Sequence, residues 1–328
     1  MSSNGPVAGR DSKEWARERM RGLWSSPMVA FNEDLTFSEP GLRQNIDRLL
    51  AVGVDGMGFG FSEPWHLSHS ERREGMEGFL GAVDGRVPAY IHATDHSVEN
   101  TIDNVRFAKS LGASAVMLWV PYEFAKSQEM AIEWFEYICS ETDSPVILYN
   151  TLHSGLKLSV DTMERISRIP AVAAVKNGVN DFAQSAALFE RVGEQIVVSE
   201  PLEQYLPMSI QHLGQQVMLG TTSVYLMQGA NNRPIRDYAD AFWRGDSADG
   251  WRIYNELQPL RAIWEEMYTV LWDSNQASHP VGLIKCWMDA IGMYGGPSRP
   301  PATGVPSSAR EWLMSKLQNS GWLERLSA

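Results

Sequence analysis

Cysteine is nearly absent from this chain. Cys139 and Cys286 are the only two in 328 residues, and their spacing fits neither a disulfide framework nor a paired metal-ligand motif. Positive charge is also in short supply: 28 Lys and Arg face 40 Asp and Glu, a formal net charge of -12. That balance argues against a nucleic acid or an anionic membrane as partner, although a site can still be locally basic. No apolar run is long enough to cross a bilayer, and the opening MSSNGPVAGRDSKEWARERMRG lacks the apolar centre of a secretory signal. A soluble, cytoplasmic protein is the expectation. Internal repeats and low-complexity tracts are missing too, as are the HxH and HExxH spacings of common metal sites.

What is present is core-forming material in a regular order. Hydrophobic residues make up 44% of the chain, enough for a full core. From Trp24 onward, strand-like runs alternate with amphipathic segments, the pattern of parallel βαβ units. Eight such runs can be counted: SPMVAF, VDGMGF, VPAYIHA, AVMLWVP, PVILYN, AVAAVK, QIVVSE and QVMLGTT. Eight parallel strands suggest an α/β fold closed as a (β/α)8 TIM barrel, with an open doubly wound sheet as the alternative. Helix starts support the alternation. Ser68 with Glu71 and Ser308 with Glu311 read as capping boxes, Ser97, Ser127 and Ser159 as caps, and Ser12 to Arg21 as a short leading helix. The resulting layout is an amino-terminal segment over 1–23, the barrel over 24–223, and a carboxyl-terminal helical extension packed on it over 224–328.

The most informative stretch runs from Pro145 to Gly178, PVILYNTLHSGLKLSVDTMERISRIPAVAAVKNG. It reads as strand, loop, helix and strand. The second strand is an unbroken apolar run ending at Lys176, and the first ends at Tyr149, so a phenol and an amine would emerge on one rim. A lysine at the edge of a dry interior loses its charge readily, and the neutral amine can attack a carbonyl to form a Schiff base. The plainer reading is a solvated surface lysine and an amphipathic rim tyrosine.

ILYN, a glycine-containing loop, a short helix and a strand ending in Lys resemble the dihydrodipicolinate synthase and N-acetylneuraminate lyase family, over most of the chain. The resemblance implies that Lys176 forms the imine with a 2-oxo acid and that Tyr149 relays protons. It also implies a small-molecule carbonyl substrate, no cofactor, and a homo-oligomer, tetramer or dimer. Three departures stand out. Aligning Glu63 with the glutamate of the family's GTTGE motif places Phe59, Gly60, Phe61 and Ser62 where Gly, Thr, Thr and Gly are usual, so both carboxylate-binding threonines are missing. Ser62 and the Gly60 N–H are the remaining candidates for that task. His153 stands nearest to the synthases' arginine, and Glu123 follows Tyr122 where synthases often have a second tyrosine. Phe59, Phe61, Trp65 and Trp119 sit at or near strand ends and suggest a pocket for a bulky or aromatic substrate, with Tyr122 and Glu200 as further lining residues.

The expected activity is therefore a Schiff-base lyase of the aldolase or hydratase-aldolase type, with dehydration through the same imine as an alternative. Two readings from other classes stay open. His92, Asp95 and His96 in HATDH offer ligands to a metal-dependent barrel hydrolase, and a noncatalytic binding barrel is the third possibility.

Overall fold

The computed structural model describes residues 11–60, 66–220, 222–272, 280–300 and 305–327. Its eight parallel strands are β1 (Gly22–Ser25), β2 (Gly56–Phe59), β3 (Ala89–His92), β4 (Ala115–Leu118), β5 (Val146–Thr151), β6 (Val172–Gly178), β7 (Val197–Ser199) and β8 (Val217–Leu219). They follow one another around the sheet from β7 down to β1, and β8 pairs with β1. Between β7 and β8 a side chain bridges the gap: the Leu219 N–H donates to Ser199 Oγ at 2.8 Å. The result is the (β/α)8 barrel that the alternation of runs predicts, and helices fill the carboxyl-terminal part of the chain.

Two compact units can be distinguished: Met1–Trp24, Asp55–Phe59 and Val83–Gly220 in the first, and Ser25–Val54, Gly60–Ala82 and Thr221–Ala328 in the second. In the first unit nearly every strand residue is buried, as expected when both faces of a parallel sheet are covered. Trp24, Tyr90, Met117, Ile147, Ala174, Val197 and Leu219 fill the interior, and Trp15 and Ala16 from the leading helix, with Met20 just after it, join the same cluster. That helix spans Ser12–Arg19, with the Asp11 side chain accepting from the Lys13 N–H. Trp24 can lie across the barrel because Gly56 has no side chain, since a Cβ there would come within 2.2 Å of the indole. Ser97, Ser127 and Ser159 each accept a backbone N–H at the start of the following helix.

The first strand corrects the expectation. It is GLWS, not SPMVAF. Gly22 donates to the Gln216 carbonyl at 2.9 Å and Leu23 to Asp55 Oδ2 at 2.8 Å, which ties this segment to the edges of β8 and β2. Met28 to Phe31 are buried, but their one bridge is an antiparallel contact between Phe31 and Phe37. An apolar run reports burial, and pairing partners decide whether it is a strand.

In the second unit the box at Ser68 and Glu71 forms as read, with Ser68 N donating to Glu71 Oε2 at 2.8 Å and Glu71 N to Ser68 Oγ at 3.2 Å. The box proposed at Ser308 does not form. Helix Ser307–Asn319 follows Pro306 with no side-chain cap. Glu71 also receives Arg299 at 2.7 and 3.0 Å, and this guanidinium contact holds its carboxyl at about 2. A carboxylate depressed in the folded state contributes stability above its ordinary pKa and loses it as pH falls. Part of that shift comes from Ser68 and solvent screens the pair, so Arg299→Met should cost about 1 kcal/mol at pH 7 in denaturant melts, with a smaller penalty near pH 2. A penalty that does not change with pH would remove the pair as its source.

Candidate active site

Strand register brings together the two leading candidates of the sequence. Tyr149 and Lys176 are direct Cα partners across β5 and β6, and both are buried, at 7% and 2% exposure. The Lys176 Nζ sits 4.9 Å from the centre of the Tyr149 ring. Burial pushes the amine down to about 7 from 10.5, against an opposing pull from the Glu200 charge. Near neutral pH a large share of Lys176 is thus a neutral amine, the form that is able to attack a carbonyl. Burial pushes the Tyr149 phenol up, while a hydrogen bond shared with the Thr151 side chain pulls it back. Such a phenol keeps its proton until a strong base forms beside it.

Thr151 is a residue that the sequence reading missed. It lies two positions beyond Tyr149 on the same face of β5, so alternation along the strand points to it. Its Oγ1 also accepts the His153 N–H at 3.3 Å, which fixes the short turn Leu152–Ser154. A hydroxyl beside the phenol is what the resemblance assigns to strand two, and here β5 supplies one itself.

Gly178 is the second omission. It is the partner of Thr151 in the register, and a Cβ built on it would meet Tyr149 Cε2 at 2.7 Å and Oη at 3.3 Å. The tyrosine ring rests across bare backbone. Gly178→Ala should tilt the phenol away and lower kcat by about 10- to 100-fold, because small misplacements of a proton carrier are costly. Lys176 should remain reactive in that variant. Unchanged turnover would show that the ring position is not critical.

Aromatic rings complete the surroundings. His92 lies 5.8 Å from Trp119 and 6.1 Å from Tyr149, and Trp119 meets Tyr149 edge-on at 6.4 Å. Thr94 Oγ1 accepts the Trp119 N–H at 3.0 Å and donates to its carbonyl at 3.1 Å, holding the end of β4. Phe59 departs from the expected aromatic lining. It pairs with Ile91 in register while Gly58 pairs with the interior residue Tyr90, so its side chain points away from the barrel interior. Phe61, Ser62 and Trp65 lie outside the described residues.

The metal-ligand reading of HATDH is not supported by geometry. His92 is buried in the barrel, Asp95 accepts from Ser97 N and Asn100 Nδ2 at 3.0 and 3.3 Å, and His96 pairs with Glu123 at 2.9 Å on the surface. Among the described residues, no cluster of three or more His, Cys, Asp or Glu is arranged to hold a metal.

His153 is half-buried, and burial, then the Lys176 charge, lower its pKa. Its neutral form therefore prevails near neutrality. Tyr122 is 61% exposed, with the Lys126 Nζ 3.2 Å from its ring centre. In the second unit, Gly60 adopts φ 94°, a conformation open to glycine. Glu200 is fully buried and both of its oxygens are taken by protein donors, Ser185 Oγ at 2.5 Å and Leu202 N at 3.0 Å.

Known proteins share this arrangement of strands. The family model described as "Dihydrodipicolinate synthetase family" matches residues 19–320. A 4-hydroxy-tetrahydrodipicolinate synthase from Methanopyrus kandleri is 26% identical over 313 residues, covering 93% of this chain and 98% of that one. A probable 5-dehydro-4-deoxyglucarate dehydratase from Methylobacterium radiotolerans is 24% identical, covering 93% and 96%. Among solved structures, a prophage protein of the dihydrodipicolinic acid synthase family from E. coli K12, in complex with pyruvate, superposes with a TM-score of 0.79 at 22% identity over 92% of this chain and 98% of that one. That last likeness speaks to the fold alone. The family match, which takes in nearly the whole barrel and the helices after it, establishes that the chain belongs to the dihydrodipicolinate synthetase family and is a Schiff-base lyase of the class I aldolase type.

Proposed function

We propose that Lys176 attacks the carbonyl carbon of a 2-oxo acid and that the resulting imine drives carbon-carbon cleavage or condensation. The observation that carries this reading is the Tyr149–Lys176 register pair, with a dry amine that is partly neutral at working pH. Attack gives a zwitterionic adduct, and Tyr149 passes the ammonium proton to the alkoxide. The same phenol then protonates the carbinolamine hydroxyl, which leaves as water. The phenolate left behind takes the proton of the substrate's β-hydroxyl as the iminium draws in the electrons of the Cα–Cβ bond, so an aldehyde is released and an enamine remains; the phenol returns the proton to the enamine carbon, and water hydrolyses the iminium to free the product and the amine. Thr151 orients the phenol throughout.

For the substrate carboxylate, the candidates are the Gly60 N–H, Ser62 and neutral His153, which acts as a hydrogen-bond donor. A charged histidine would have to coexist with a neutral lysine of higher pKa, which is a minor population. Trp119 and Tyr122 are assigned to the substituent on the carbonyl. Phe61, outside the described residues, is a further candidate for this role on its sequence position alone. Dehydration through the same imine is the second reading, favoured by the similarity to the dehydratase: loss of a Cα proton from the iminium gives an enamine that keeps the β-hydroxyl, and this hydroxyl takes up a proton and leaves as water. Either reaction uses a small molecule in a homo-oligomer, tetramer or dimer, within the cytoplasm. Among the described residues, no helix is long and apolar enough to cross a membrane.

Borohydride reduction in the presence of pyruvate and of larger 2-oxo acids tests the assignment. Peptide mass analysis should find a stable adduct on Lys176. No adduct with any member of the panel, or activity lost to a chelator, would overturn it.

A further inference from the structure

The mechanism above leaves a buried carboxylate unused. We infer that Glu200 is the counter-charge to the amine and iminium at Lys176, and that it anchors a one-way chain of hydrogen bonds aligning the ends of β5 and β6; this rests on the Schiff-base reading. Glu200 stands next to Ser199, the register partner of Lys176. From it the chain runs back along the strand ends. Ser185 Oγ donates to Glu200 Oε2 at 2.5 Å, Asn177 Nδ2 to Ser185 Oγ at 2.9 Å, and Asn150 Nδ2 to Asn177 Oδ1 at 2.7 Å. The Leu158 N–H closes the far end on Asn150 Oδ1 at 3.0 Å.

Direction is set at both ends. A backbone N–H only donates and an ionised carboxylate only accepts, so every amide and hydroxyl between them has one permitted orientation. Asn150, Asn177, Ser185 and Glu200 are all buried, where a broken link would leave a polar group unsatisfied. The positions are also significant. Asn150 follows Tyr149 and Asn177 follows Lys176, so both side chains point to the opposite face from the reacting groups. The chain grips the two strands from behind and leaves the substrate side open. Gln215 completes the setting by accepting the Glu200 N–H and donating to its carbonyl, each at 3.0 Å.

Charge adds a second role. Imine formation replaces a partly neutral amine by a permanent cation in a dry site, and such a cation is costly without a nearby anion. Burial raises the Glu200 carboxyl above its ordinary range, the hydrogen bonds from Ser185 and Leu202 N pull it back towards the ionised form, and of the two charged groups that act on it Asp181 opposes ionisation and Lys176 favours it. Asp181 is itself paired with Lys157 at 2.5 Å. On the other side, Lys176 acts on His153. Glu200 is thus a positioning and charge-compensating residue, not a substrate contact.

The test measures Lys176 ionisation without relying on turnover, from the pH dependence of cyanate carbamylation at the Lys176 peptide. In Glu200→Gln the Lys176 midpoint should fall by about half a unit or more, and the acidic limb of kcat/KM should follow it to lower pH. At pH 8, kcat should drop by about 10-fold or more. Glu200→Asp, which keeps the charge, should hold the midpoint near its parental value. Ser185→Ala weakens the carboxylate and should shift the midpoint in the same direction by less, so it carries the test if Glu200→Gln does not fold. An unmoved midpoint in folded Glu200→Gln or Ser185→Ala overturns the inference. A shifted midpoint with no borohydride adduct in the parental enzyme would instead place the fault in the Schiff-base reading.

Discussion

Lys176→Met should abolish turnover while making the protein more stable. The loss of activity follows from the chemistry, because methionine has no amine to form the imine, and the expected decrease in kcat/KM is at least about 1,000-fold. The gain in stability follows from the dry setting of the lysine. Its amine lies at about 7 in the folded protein against an ordinary 10.5, so at neutral pH the unfolded chain holds a proton that the folded chain only partly keeps. Unfolding takes up protons in this range, and stability therefore rises with pH between about 7 and 10.5. At pH 7 the penalty is about 4 kcal/mol, and a methionine of similar shape removes it. Denaturant melts of the two proteins at pH 7 and pH 10.5 check the point. The variant should be the more stable at pH 7, and the gap should close towards pH 10.5. A gap independent of pH would mean that Lys176 stays charged in the folded state, and the nucleophile assignment would fall with it.

Much of this site was legible from one crossover. The run AVAAV is unbroken because both faces of β6 are covered, and such a strand brings its first polar residue, Lys176, to the barrel rim. The helix caps at Ser97, Ser127 and Ser159 were equally plain, since capping is a local interaction between residues two or three apart. Local signals failed where tertiary contacts decide. SPMVAF is as apolar as a strand, yet GLWS takes the place beside β8 because Gly22 and Leu23 find backbone and side-chain partners there. Ser308 and Glu311 have the spacing of a capping box, but Pro306 precedes the helix and no cap bond forms.

Residues inside the site divide in the same way. Thr151 follows from strand periodicity once Tyr149 is known, and Gly178 from the same periodicity beyond Lys176, but the approach of the Tyr149 ring to bare backbone at Gly178 is a tertiary contact that no local pattern carries. The charge state of His153 was not legible, because its reference pKa lies near neutrality and only burial beside a lysine lowers it. Glu200 was legible as a strand-end carboxylate, but its direction was not. The Ser185 contact joins a helix to a strand end, and no sequence spacing announces it.

The Tyr149→Phe variant is expected to keep the fold and to slow turnover by about 100- to 10,000-fold, the range for loss of a proton carrier. The ring remains in the variant, so the edge contacts with Trp119 and His92 and the approach to Gly178 are preserved. What is lost is the hydroxyl and its bond to Thr151. KM should change less than kcat, because proton transfer belongs to the transition state more than to binding. The borohydride adduct on Lys176 should still form, more slowly, since the amine is intact. Thr151→Val supplies the decisive comparison. If Thr151 acts by orienting the phenol, its substitution lowers kcat in the parental enzyme and has almost no further effect in Tyr149→Phe. Additive losses would mean that Thr151 moves protons by its own route. A full kcat in Tyr149→Phe would remove the phenol from the relay and leave water or Ser62 as the carrier.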